Sequence, residues 1–218
     1  MDFSLATIVL WAVPVVFAIT LHEAAHGYVA RMFGDQTAWM LGRVTANPIK
    51  HIDPVGTIAV PLSLVAIAAI THTPAFIFGW AKPVPVNFGN LRNPKRDMFW
   101  VAGAGPLANF AMAVAWGILL KAATPGGPLA SDGLLEMAGA GIQINLMLMA
   151  LNLLPILPLD GGRIAVSLLP HSIAMSYAKL EPYGFIVVIV LLATGVLGTL
   201  MQPILRLAEY LLVTLLGL

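Results

Sequence analysis

The sequence predicts an all-α polytopic membrane protein: a bundle of about five to six transmembrane helices with a short β-like and re-entrant region after the first helix. Three observations predict it. Of the 218 residues, 59% are apolar and only 10% charged, whereas a soluble domain carries about 25% charged and roughly 45–50% apolar residues. Mean hydropathy is +0.90, and a soluble domain this short could not bury so much apolar surface. Apolar runs close to the ~20 residues that cross a bilayer as a helix recur along the chain.

The same figures narrow the chemistry. Eleven basic residues against ten acidic ones, for a net charge of +1, leave no electrostatic footprint for nucleic acid; the expected surroundings are the lipid bilayer. There is no cysteine, which excludes disulfides, iron–sulfur clusters and thiolate zinc sites. Any metal has to be held by His, Asp or Glu. The length suits a single domain over 1–218.

Taken in order, the first core helix spans about 4–33. Its apolar run has no Lys or Arg before Arg31, unlike the basic start of a cleaved signal peptide, so it reads as a retained span. Residues 34–54 interrupt the helical pattern with Gly34, Gly42, Pro48 and Pro54, and 39–45 reads as β-like. Residues 55–70 are apolar, but they number 16 and include Pro61, too short for a full span. A Pro- and Gly-rich loop follows. Two further core helices are predicted near 98–121 and 134–157, then C-terminal helices near 183–201 and 203–218, the last started by Pro203.

Basic residues set the topology, because cytoplasmic loops collect Lys and Arg. With 55–70 re-entrant, one side holds Arg31, Arg43, Lys50, Lys82, Arg92, Lys95, Arg96, Arg163 and Lys179, nine of the eleven, leaving Lys121 and Arg206 opposite. A full crossing by 55–70 splits them nearly evenly. The re-entrant arrangement, with an extracytoplasmic N-terminus, is therefore expected. Non-helical backbone at membrane depth has to be packed in protein or wet, so this segment is expected to line a cavity.

The chemistry concentrates near the inner end of the first helix, where the chain reads LHEAAHGYVA. His22 and His26, four apart on a helix, share a face, and Glu23 flanks it. This is the H-E-x-x-H pattern, in which two His bind zinc and the Glu is a general base. Ionisable residues within a span are costly and functional by default. Surface histidines beside a structural carboxylate are the plain alternative.

Catalytic zinc takes three protein ligands and keeps a fourth position open. The third candidate is Asp160, in NLLPILPLDGG at 152–162. Pro155 and Pro158 break helical hydrogen bonding, and Gly161 and Gly162 relax the backbone beside the acid, so the carboxylate can bend back toward the bundle. Asp before Gly is equally a plain turn residue. Asn109 reads as interhelical hydrogen bonding and Asn145 as packing. Asn152 reads as an oxyanion donor or a clamp on the substrate backbone. His51, His72 and His171 read as solvated loop residues, and Arg206 with Glu209 as a local ion pair.

HEAAH on an early helix, GPLAN at 105–109 and NLLPILPLDGG at 152–162 together resemble the site-2 protease family of intramembrane zinc metalloproteases. The motifs come in that family's order and cover its three-helix core. The resemblance implies that His22, His26 and Asp160 bind one Zn2+, that Glu23 is the catalytic base and that Asn152 lies near the scissile carbonyl. It also implies a zinc site inside a bacterial cell membrane, nearer the cytoplasmic face, in agreement with the charge count. The expected form is minimal, without a PDZ-like insert between the GPLAN and DGG helices and without nucleotide-sensing CBS domains after the last helix.

The expected activity is hydrolysis of peptide bonds within or near transmembrane segments of protein substrates, such as membrane-anchored regulators or leftover signal peptides. Zinc would lower the pKa of water to about 7; Glu23 would take the proton and return it to the leaving amine. The 39–45 stretch would offer an edge to an unwound substrate strand. The competing classes are a divalent-metal transporter using the same His and Asp residues, which the lack of an internal repeat disfavours, and an inactive scaffold, in which Glu23 would have no purpose.

Overall fold

A computed structural model describes residues 5–71, 79 and 81–217. Its regular structure is helical, with no strand among the described residues. Helix α1 (Leu5–Met32) carries the HEAAH motif and α2 (Thr37–Met40) is a single turn. A 3-10 turn (Pro48–His51) and a π-helical turn (Pro54–Ala59) lead into α3 (Val60–Thr71). The long helices α4 (Pro94–Ala123) and α5 (Asp132–Asn152) follow. Next come the short α6 (Asp160–Leu168) and α7 (His171–Ala178), then α8 (Glu181–Ala193) and α9 (Val196–Leu216).

Among the described residues α4, α5 and α9 are each long and apolar enough to cross a membrane, and α7 with α8, bent by 66°, makes a fourth if taken as one broken span. Three to four candidate spans thus stand where five to six were expected. Many large apolar side chains face outward, among them Leu62, Ile70, Leu107, Ile118, Ile186 and Leu207. For a chain whose outer solvent is lipid, that exposure carries no hydrophobic cost.

The helices start where their sequence dictates. Pro94 occupies the first turn of α4, where a missing N–H is harmless, and the Asp97 carboxylate turns back to accept the Asn93 N–H at 2.7 Å, which satisfies the donor of the N-cap residue. Small residues then let the long helices approach: a Cβ on Gly141 would strike the Trp116 ring, and one on Gly117 would strike Leu216, as membrane packing favours. Ala113, Leu146, Met149, Ala208 and Leu212 close one core between α4, α5 and α9. A second joins α5, α8 and α9 through Ala150, Leu154, Val188, Leu197 and Met201. A third, Ala30, Leu91, Met98 and Val101, fastens the end of α1 to α4.

Four expectations are corrected. Residues 39–45 are not β-like: Asp35 Oδ1 accepts from both the Thr37 N–H and its hydroxyl, which starts a helical turn, and Gly42 at φ +62° ends it. The third core helix stops at Asn152 rather than 157, because Pro155 and Pro158 turn the chain, and the acid motif opens a helix of its own. The C-terminal break lies at Gly195, φ +75°, and not at Pro203, which sits inside α9. Arg206 donates to Gln202 Oε1 at 3.0 Å instead of pairing with Glu209; one turn back was the nearer acceptor.

Candidate metal centre

Each side chain of the site is placed by its own element. The four-residue spacing on α1 puts the His22 and His26 rings edge to face, with centroids 4.7 Å apart. Asp160 arrives at the first position of α6. The chain before it folds tightly over that helix start, so a Cβ on Gly161 would strike the Leu153 and Leu154 carbonyls, and one on Gly162 would lie 2.5 Å from the Leu157 nitrogen. Glycine at both positions is therefore what lets the carboxylate turn inward.

The three groups converge. His22 Nε2 lies 3.1 Å from His26 Nε2, and Asp160 Oδ2 lies 3.2 and 3.3 Å from the two nitrogens. All three residues are buried, at 7%, 9% and 9% exposure. This is the group of His, Asp and Glu residues, among those described, whose ligand atoms could share one metal ion.

The acceptors at Nδ1, a backbone carbonyl for His26 and a side-chain amide oxygen for His22, assign the ring protons. The His26 Nδ1–H donates to the Val101 carbonyl at 2.7 Å, an oxygen that can only accept. The His22 Nδ1–H donates to Asn109 Oδ1 at 2.6 Å. Both Nε2 atoms therefore present lone pairs to one another and to Asp160 Oδ2, which is buried without a hydrogen-bond partner. Three acceptor atoms turned inward with no proton among them are costly as they stand and suited to a cation. A tetrahedral zinc with bonds of about 2.0–2.1 Å has ligand atoms about 3.3 Å apart, so the observed edges of 3.1–3.3 Å fit. Borderline nitrogen and hard oxygen donors suit zinc in type as well.

Glu23 is half-buried beside this group, and its Oε2 accepts the Val84 N–H at 2.7 Å. Val84 belongs to an irregular strap over 81–87 that packs against α1. Gly27 makes room for it: a Cβ there would lie 2.7 Å from Val44 and 3.0 Å from Val84. The strap is tied down by Lys82 N–H to His51 O (2.9 Å), by Arg43 to Lys82 O (2.8 Å) and by Asn87 N–H to Asp35 Oδ2 (2.6 Å). Asn152, the last residue of α5, donates to the Leu148 carbonyl of its own helix at 3.0 Å.

His51 overturns its expectation. It is 3% exposed, with Nε2 on the Thr45 carbonyl at 3.0 Å, because the turn at Pro48 folds it under the strap. His171 is exposed, as expected, and His72 lies outside the described residues.

Two contributors escaped the sequence reading. Gly105 faces both imidazoles, and a Cβ there would strike His26 Nε2 and come within 2.5–2.6 Å of the His22 ring. Its signal was present in GPLAN, four residues ahead of Asn109, but only the facing histidines give it meaning. Asn145 hydrogen-bonds Asn109, which no local pattern reveals.

Comparison with known proteins decides the family. The profile of peptidase family M50 matches residues 117–195. YwhC of Bacillus subtilis, named for the zinc metalloproteases, is 38% identical over 204 residues, covering 89% of this chain and 84% of its own length. The chain belongs to peptidase family M50. Rip2 of Mycolicibacterium smegmatis, also named as a zinc metalloprotease, is 30% identical over 83% of this chain, which spans 65% of that relative; Rip2 of Mycobacterium tuberculosis is 29% identical over 76%, with 54% of its length spanned. No solved structure matches the chain at a significant level. This M50 peptidase is thus a zinc metalloprotease and an integral membrane protein, and nothing in the comparisons favours a transporter.

Proposed function

We propose that this chain is an intramembrane zinc metalloendopeptidase that cleaves within or near transmembrane segments of membrane proteins, as a step of regulated intramembrane proteolysis. His22, His26 and Asp160 hold one zinc ion per chain, and Glu23 is the general base. The observation that carries this reading is the buried triangle of two imidazole nitrogens and an orphaned carboxylate oxygen, with edges of 3.1–3.3 Å.

Zinc, when bound, supplies the Lewis acidity that makes water a nucleophile near neutral pH. The protein's own residues do the rest. Glu23 sits one position from His22 on α1, where its carboxylate takes the proton of the attacking water and hands it to the departing amine. The Val84 N–H pins one oxygen of that carboxylate and leaves the other for the water. Asn152, at the end of α5, exchanges its bond to the Leu148 carbonyl for one to the substrate backbone near the scissile carbonyl. A substrate helix hides its carbonyls in its own hydrogen bonds and has to unwind before attack.

The chain resides in a bacterial cell membrane with its N-terminus extracytoplasmic and the zinc nearer the cytoplasmic face. With 55–70 re-entrant, nine of the eleven basic residues fall on one side, which supports this orientation.

The test is reconstitution of the purified protein in vesicles with a labelled transmembrane substrate. Wild type is expected to cleave it, and Glu23→Gln to retain zinc and lose cleavage. Zinc flux across the vesicle wall without cleavage would overturn the assignment in favour of a transporter, and full cleavage by Glu23→Gln would remove the assigned base.

A further inference from the structure

The metal centre has an outer layer made of two asparagines. Asn109 of α4 and Asn145 of α5 are both 0% exposed, and amides are placed inside a membrane bundle at a cost unless every polar atom is matched. Here the amides are matched in a chain with a single sense. The Asn145 amide NH2 donates to the Gly141 carbonyl at 2.8 Å. That carbonyl cannot donate, so Asn145 Oδ1 is turned the other way, where it accepts from Asn109 Nδ2 at 2.9 Å. The second hydrogen of the Asn109 amide goes to the Ala18 carbonyl at 3.2 Å. With both its hydrogens committed, Asn109 has only its oxygen to offer His22 Nδ1, at 2.6 Å.

We propose that Asn109, oriented by Asn145, is a positioning residue that holds the proton of His22 on Nδ1 and so keeps Nε2 bare for the metal. The inference rests on His22 being a zinc ligand and extends it to the residues that make it one. Its logic is competition. A neutral imidazole carries one ring proton. Without an acceptor at Nδ1, that proton moves to Nε2, where Asp160 Oδ2, 3.2 Å away and lacking a donor, accepts it in a charge-assisted bond. Two of the three metal ligands would then be spent on each other. His26 is protected from the same collapse by the Val101 carbonyl, which no side-chain substitution removes. His22 depends on a side chain and is the vulnerable ligand.

The test uses the purified full chain in detergent. Nitrogen-15 spectra of ring-labelled histidine in metal-free wild type, with the His22 signals assigned by their loss in His22→Gln, are expected to show Nδ1–H. In Asn109→Leu the proton is expected on Nε2, and the zinc dissociation constant, measured against a competing chelator, is expected to rise ten- to a hundredfold, as for other second-layer partners of metal-bound histidine. Asn109→Asp keeps an acceptor oxygen at Nδ1 and is expected to restore the Nδ1–H form and most of the affinity. An Nε2–H tautomer in metal-free wild type overturns the proposal without any substitution at Asn109. So does an Asn109→Leu protein that folds with the wild-type tautomer and zinc affinity, the result expected of a mere packing bond. Failure of wild type to bind zinc would sink the ligand reading instead, while the tautomer comparison still decides the role of Asn109.

Discussion

Glu23 Oε2 accepts a hydrogen bond from the Val84 N–H at 2.7 Å, which ties the carboxylate of the HEAAH motif to a backbone segment far along the chain. Val84 stands between Pro83 and Pro85, so within that triplet it alone carries an N–H. Val84→Pro deletes the donor and keeps an apolar side chain. Zinc content is expected to stay at wild-type level, while turnover of a labelled transmembrane substrate falls roughly ten- to a hundredfold, the worth of one hydrogen bond to a charged group. Unchanged turnover would show that the strap does not hold the base.

Gly105 is expected to be sterically obligatory. A methyl at this position would strike His26 Nε2 and crowd the His22 ring, and overpacking costs about 1–3 kcal/mol. Gly105→Ala is expected to weaken zinc binding roughly five- to a hundredfold by chelator competition. Gly103→Ala, on the same helix with open space around the added atom, is the control and is expected to bind zinc normally.

Gly184 carries the corresponding constraint for Asp160. A Cβ there would run into the Leu157 carbonyl, in the segment that delivers the acid to α6. Gly184→Ala is expected to lower the thermal midpoint by an amount corresponding to about 1–3 kcal/mol and to weaken zinc binding with it. Gly198→Ala, where nothing lies within 4 Å, is expected to leave both unchanged.

Asp35 gives a pH dependence. Burial works to raise its pKa, but hydrogen bonds from the Thr37 hydroxyl and N–H, the Asn87 N–H and the Asn90 amide outweigh it and hold the carboxyl below its ordinary value. A carboxyl depressed on folding contributes stability that is fully present above its unfolded pKa of about 3.9 and is lost as pH falls through the lower folded value. Proteolysis of the 36–86 region is expected to accelerate below about pH 4 in wild type, and Asp35→Asn is expected to abolish that pH step.

What was legible in the sequence was whatever rests on local periodicity or composition. Four-residue spacing was enough to pair His22 with His26, and two prolines with two glycines were enough to single out Asp160 as an acid that could bend inward. The structure places those three together. What stayed hidden depends on residues that meet only after folding. Asn145 gains its meaning from Asn109 on another helix, and His51 is buried only because a strap thirty residues downstream crosses it. The 39–45 stretch misled for a related reason: its aromatic and β-branched residues favour extended backbone in isolation, while the Asp35 carboxylate captures Thr37 and winds the chain into a turn. In the same turn Trp39 receives the Arg31 guanidinium over its ring at 3.5 Å.

Val101, Gly105 and Asn109 follow one another at intervals of four along α4, and meet two histidines spaced by four on α1. Such a matched pair of rulers has one registry. Sliding one helix past the other by a single turn, about 5.4 Å, or rotating either by one residue, would detach both imidazoles from their acceptors at once. The two imidazoles thus hold α1 and α4 in one alignment, and either displacement costs both acceptors together.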